Sequence, residues 1–151
     1  LDSQGRPHVI TYKLPEPRKP KKLQHNPPPE IHRHLHFVHY WRNERGQWLG
    51  GEPIEPLGGP GNVARGDIVF GPDDTLYFFC RHRKQGGMAC LEAEATGGWK
   101  QWRGYALTPS GVASTDATKH DRRRWQQQGV LSLTARLPEA GFGIVELKLE
   151  K

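Results

Sequence analysis

The sequence is short of the materials that most common architectures require. It has two cysteines, Cys80 and Cys90, too few for the disulfide framework that holds many small secreted domains. Hydrophobic residues make up only 34% of the chain, against 18 glycines and 13 prolines, which disfavours a helical bundle and favours turn-rich β-structure. No run of 18 apolar residues occurs, so no helical membrane span is expected. No stretch of these residues reads as a signal or transit peptide, and because the chain opens at Leu1 within a strand approach this says little about compartment. No RNA-binding or helix-turn-helix signature occurs either, and nucleic acid is not the expected partner. Acidic residues are in deficit: 16 stand against 22 lysines and arginines, giving a net charge of +6. Such a balance suits a polyanion, including a sulfated or uronate polysaccharide. The basic runs at 17–22 (PRKPKK) and 120–125 (HDRRRW) also read as ordinary solvated charge.

With 151 residues the chain can form one domain with a modest core. Residues 75–82 (TLYFFCRH) form an aromatic-rich strand opened by Gly71, Pro72, Asp73 and Asp74. A second strand, 88–95, follows the polar loop 83–87, and two glycines there fit an antiparallel hairpin. If 83–87 is the whole loop, His82 opposes Met88 and Cys80 opposes Cys90. Side chains alternate with period two, so Cys80, His82, Met88 and Cys90 then share one face. A slip of one residue would separate the cysteines.

Three chemistries suit that face. Two thiolates and an imidazole are zinc ligands, with His120 the first choice for a fourth and His36 or His39 behind it. A cross-strand disulfide is the second. Two buried thiols beside a hydrogen-bonded histidine are the third.

Before this hairpin, 8–14 reads as a strand with His8, Ile10 and Tyr12 on one face. The insertion 15–30 holds six prolines and four basic residues, and reads as a long surface loop. Residues 32–42 form the next strand, with His34, His36, Val38, Tyr40 and Arg42 on one side and Leu35, Phe37, His39 and Trp41 on the other. His34 and His36 could chelate, although no carboxylate cluster accompanies them. A short strand starts near Trp48, and another covers 67–70. Trp99 and Trp102 are expected to pack between sheets. Residues 108–128 read as a polar connection, and 130–137 with 142–149 as a closing hairpin.

Two units share a grammar: DSQGRPHVITY with HFVHYWRNERGQW, and GPDDTLYFFC with MACLEAEATGGW. Without the insertion, the repeat has about the length of a propeller blade. The motifs D-x-x-G-R-P-H-V and H-Y-W-R followed by G-x-W resemble the BNR-repeat propeller family that includes ulvan lyases and related polysaccharide lyases; the likeness covers roughly residues 1–104.

The resemblance implies an all-β fold of antiparallel β-propeller blades, about three of a seven-bladed ring. The divisions are a blade at 1–57, a blade at 66–107 and terminal strands at 128–151. Because a ring needs more blades, the chain is expected to be a C-terminal part of a longer one. The implied activity is β-elimination on an anionic, uronate or sulfated glycan by a carbon–oxygen lyase that is secreted or periplasmic. The alternative is a non-catalytic module that binds carbohydrate or protein. On this chain the groove would use His8, Tyr40 and Arg42 for catalysis, with Tyr12 and His39 binding substrate. Tyrosine and histidine serve as acid and base, and arginine pairs with a carboxylate. Some members carry a structural zinc held by histidine and cysteine, which favours zinc at Cys80, His82, Cys90 and His120.

Overall fold

The computed structural model describes residues 1–13, 36–54, 63–82, 88–107, 120–137 and 141–148. The insertion 15–30, with His32 and His34, lies outside the described residues, as does the loop 83–87.

Strands β1 (His8–Lys13), β2 (His36–Arg42) and β3 (Trp48–Ile54) form an antiparallel sheet in chain order. Strands β4 (Val63–Phe70), β5 (Leu76–His82), β6 (Met88–Ala93) and β7 (Trp102–Leu107) form a four-stranded antiparallel meander. Strands β8 (Val130–Leu137) and β9 (Gly141–Lys148) pair as a hairpin. One short helix, α1 (Arg122–Gln128), precedes β8, and it is the only α-helix among the described residues.

The turns repeat one piece of chemistry. Asp2 opens the first: its carbonyl accepts from Gly5 N–H at 3.0 Å, and its Oδ1 accepts from Arg6 N–H at 2.8 Å. Asn43 does the same, accepting from Gly46 N–H at 2.9 Å and, on Oδ1, from Gln47 N–H at 2.9 Å. An Asx side chain that satisfies the turn's own backbone is why this residue type opens both. Gly5 and Gly46 sit at φ +73° and +76°, where a side chain would be strained.

The core has two layers. Phe37 and Ile54 of the first sheet pack with Leu76, Phe78, Cys80 and Leu91 of the second and with Trp99 from the turn before β7. On the second sheet's other side, Val69, Phe79, Met88 and Cys90 meet Leu131 and Leu133. Strands β5 and β6 are apolar on both faces because a sheet covers each side. Burial of each such Leu or Phe contributes about 1.5–3 kcal/mol.

The hairpin register differs from expectation by one residue. Arg81 opposes Met88, Cys80 opposes Ala89 and Phe79 opposes Cys90. The cysteines therefore lie on opposite faces of the sheet, one in each core layer. The cause is Glu92. In the expected register it would oppose Phe78 and bury a carboxylate against the first layer. In the observed one Phe78 opposes Leu91, and Glu92 opposes Tyr77. There Glu92 accepts from Tyr105 Oη at 2.8 Å and pairs with Arg103 Nε at 3.0 Å.

Helix α1 replaces the end of the expected polar connection. Asp121 caps it by accepting from Arg124 N–H at 3.1 Å, and Gly129 ends it at φ +64°. Trp125 anchors it, donating Nε1–H to the Phe70 carbonyl at 2.7 Å.

Candidate functional site

Strands β1 and β2 align His8 with Trp41 and Ile10 with His39, so His8 and His39 lie on the same inward face. Asp2 reaches them from the first turn. Its side chain is fully buried, and Oδ2 accepts from Arg6 Nε–H at 2.6 Å and lies 3.2 Å from His8 Nε2. His8 Nδ1 is in turn 2.9 Å from His39 Nε2. The result is a buried polar relay, Arg6–Asp2–His8–His39.

Aromatic rings enclose it. Trp99 meets His8 edge-on, with centroids 4.6 Å apart, and Phe70 does so at 4.7 Å. The Arg6 guanidinium lies 5.1 Å from the Trp99 ring centre. Trp99 is held in an unusual backbone state at φ +54°, and its Nε1–H donates to the Asp74 carbonyl at 2.9 Å. Asp74 is the other non-glycine residue at positive φ among the described residues, and its Oδ1 accepts from Ser3 N–H at 2.7 Å. Two strained residues and the first turn thus lock together, consistent with strain held in place by surrounding structure.

The electrostatics follow from burial. Burial raises the Asp2 carboxyl, but hydrogen bonds from Arg6 and His8 outweigh it and hold the group below 3.8. Burial lowers His8 despite the opposing pull of Asp2. His39, buried and beside His8, is pushed down to about 3. Both imidazoles are neutral at neutral pH.

His39 opens onto a cleft. Opposite it, β3 carries a bulge: Val38 pairs with Pro53 and Tyr40 with Gly50, so two residues face one. Bulges re-aim nearby side chains. Gly50, at φ +95°, permits the close approach, since a Cβ there would lie 2.3 Å from the His39 carbonyl oxygen. The cleft is about 430 Å³ and is lined by His39, Trp41, Glu52, Trp99, Lys100 and Trp102, among others. Three indoles beside an imidazole, a carboxylate and an ammonium form an apolar site with a few placed polar groups, the usual make-up of a ligand pocket.

The structure divides the residues singled out in the sequence. His8 and His39 come together, and Tyr12 shares their face, its ring tilted against Phe37 with centroids 4.5 Å apart. Tyr40 and Arg42 point to the opposite face of β2, so His8, Tyr40 and Arg42 do not form one catalytic group. Arg42 Nε–H donates to the Gly46 carbonyl at 2.9 Å and closes a turn. Tyr40 covers Gly51, whose backbone leaves room for the ring.

The expected zinc set is likewise divided. Cys80 and Cys90 are both free thiols, separated by the sheet, and cannot share one tetrahedral centre. Burial pushes both thiols up, Cys90 to about 12. The His82 side chain lies outside the described residues. His120 Nδ1 is 2.7 Å from Asp67 Oδ2 and straps the segment before α1 to β4. Among the described residues no group of three or more histidine, cysteine or acidic side chains is placed to hold a metal ion.

Asp2, Glu52 and Lys100 were missed as site residues. Asp2 carried a signal, since an Asx-x-x-Gly turn directly precedes the strand bearing His8. Glu52 and Lys100 carried none, because each depends on a bulge or a turn. No protein-family model matches the chain, and no curated protein matches it.

Proposed function

We propose that this chain is a glycan-binding β-module, its sheets blades of a BNR-type propeller, and that it holds an acidic saccharide in the cleft beside β3. The observation that carries this is the wall formed by Trp41, Trp99 and Trp102 beside His39, Glu52 and Lys100. Indole faces suit the apolar faces of sugar rings. Lys100 supplies a cation for a carboxylate, and the net charge of +6 favours an anionic polymer. The stacked antiparallel sheets, the meander β4–β7 and the repeated Asx turns support the blade reading.

Lyase activity is the second reading. His39 and Lys100 line the same cleft, and elimination needs a base together with a cation for the uronate carboxylate. The setting of His39 orders the two: its ring is buried and its Nε2 is engaged by His8, which weakens it as a base. A base whose conjugate acid sits near 3 is far from the range near neutrality where general bases work well. Binding therefore stands first.

Calorimetric titration with a glucuronate-containing tetrasaccharide tests it. Binding by the wild type, weakened about tenfold or more in Trp102→Ala, is the expected result, in line with truncation of an aromatic anchor. Equal affinity in both proteins, or none in the wild type, would overturn it. Ultraviolet absorbance by an unsaturated uronate product would move the assignment to the lyase.

A further inference from the structure

We infer that the relay Arg6–Asp2–His8–His39 fixes His39 as a hydrogen-bond acceptor whose Nδ1 serves the cleft, so that the bound saccharide must present a hydroxyl there. The inference deepens, and rests on, the reading of the cleft as a glycan site.

The direction of the relay follows from its first member. A carboxylate only accepts, so the His8 nitrogen 3.2 Å from Asp2 Oδ2 carries the proton. That nitrogen is Nε2. A neutral His8 then has a bare Nδ1, which accepts across 2.9 Å from His39 Nε2–H. His39, neutral in turn, keeps its proton on Nε2 and leaves Nδ1 bare. Arg6 reinforces the polarity, because its guanidinium and backbone both donate to Asp2 and hold it as the anion. Nδ1 has no hydrogen-bond partner among the described residues, and it is not among their sealed, unpaired atoms. His39 lines the cleft, and with Nε2 engaged by His8 this is the ring nitrogen left to meet a ligand there.

The consequence is selective. A lone pair repels a carboxylate or a ring oxygen and accepts from a hydroxyl. Glu52 is a second acceptor, and Lys100 is the cleft's cationic donor. A uronate residue therefore directs its carboxylate to Lys100 and a hydroxyl to His39. Asp2 and His8 touch no ligand in this scheme; they position His39 by fixing its tautomer.

Nitrogen-15 NMR of the imidazoles in the full chain, at neutral pH and free of ligand, tests the relay without a mutation. The expected spectrum has His39 protonated on Nε2 and bare on Nδ1. A protonated Nδ1, or a cationic His39, would overturn the inference. Titration with the glucuronate tetrasaccharide is expected to shift the His39 Nδ1 signal towards that of a hydrogen-bonded acceptor. Binding that leaves it unmoved would overturn the hydroxyl assignment while leaving the glycan reading intact. A bare Nδ1 with no saccharide binding would sink the glycan reading and the hydroxyl assignment together, and the relay would stand. In Asp2→Asn the amide can donate to His8 Nε2 and reverse the relay. The proton of His39 then moves to Nδ1, and affinity falls about tenfold, the scale of one lost hydrogen bond. Retained wild-type affinity in a variant with the reversed tautomer would contradict the selection.

Discussion

His39 shows how one side chain takes its properties from its surroundings. The strand places it inward, the bulge in β3 opens space beside it, and burial strips its charge. Stability should record this. Both His8 and His39 have folded values below the 6.5 of an unfolded chain. As pH falls below about 6.5, the unfolded chain takes up protons that the folded chain refuses, so stability falls. For His39 the loss runs down to about 3. Between pH 7 and 5 it amounts to about 2 kcal/mol from His39 alone. Below about 4, Asp2 and Asp67 add to it, since both are held under 3.8 and protonate first in the unfolded chain. Urea unfolding at pH 7 and pH 5 should show the drop, and His39→Gln should remove most of it. A flat profile would mean that His39 is not buried as a neutral ring.

Among the elements, the β5–β6 hairpin carries the sharpest consequence. With Cys80 and Cys90 on opposite faces, neither a disulfide nor a shared metal joins them in the native fold. Both thiols are buried and held protonated, so a thiol reagent should find neither until the chain unfolds, and both should then react in one step. Fast reaction of one thiol in the native protein would place the hairpin in another register. The two strands and their loop were legible from alternation and turn residues. The pairing was not, because a five-residue loop and a six-residue loop are both possible and the choice depended on where Glu92 could be solvated. Helix α1 was legible in principle: Asp121 and Gly129 bracket a run of helix-favouring residues, yet the arginines and glutamines offered little apolar periodicity to mark it.

For the whole molecule, the sequence already showed β-structure, the alternation of side chains along β1 and β2, and the final hairpin, but not which face of β1 and β2 turns inward. It could not show that Tyr40 and Arg42 belong to a different face from the cleft, because chemistry alone had grouped them with His8. Nor could it show that Glu52 of β3 and Lys100 of the turn before β7 line one cavity with His39. Such groupings exist only once sheets stack.

The five tryptophans offer the most direct test of that cleft. Trp41, Trp99 and Trp102 line it, Trp48 is 52% exposed outside its lining, and Trp125 packs against the far core layer. Their indole N–H signals, followed by NMR during titration with the glucuronate tetrasaccharide, report which face is occupied. Movement of the Trp41, Trp99 and Trp102 signals, with those of Trp48 and Trp125 still, is the predicted result. Movement of Trp48 alone, or of no indole at all, would contradict the cleft as the glycan site.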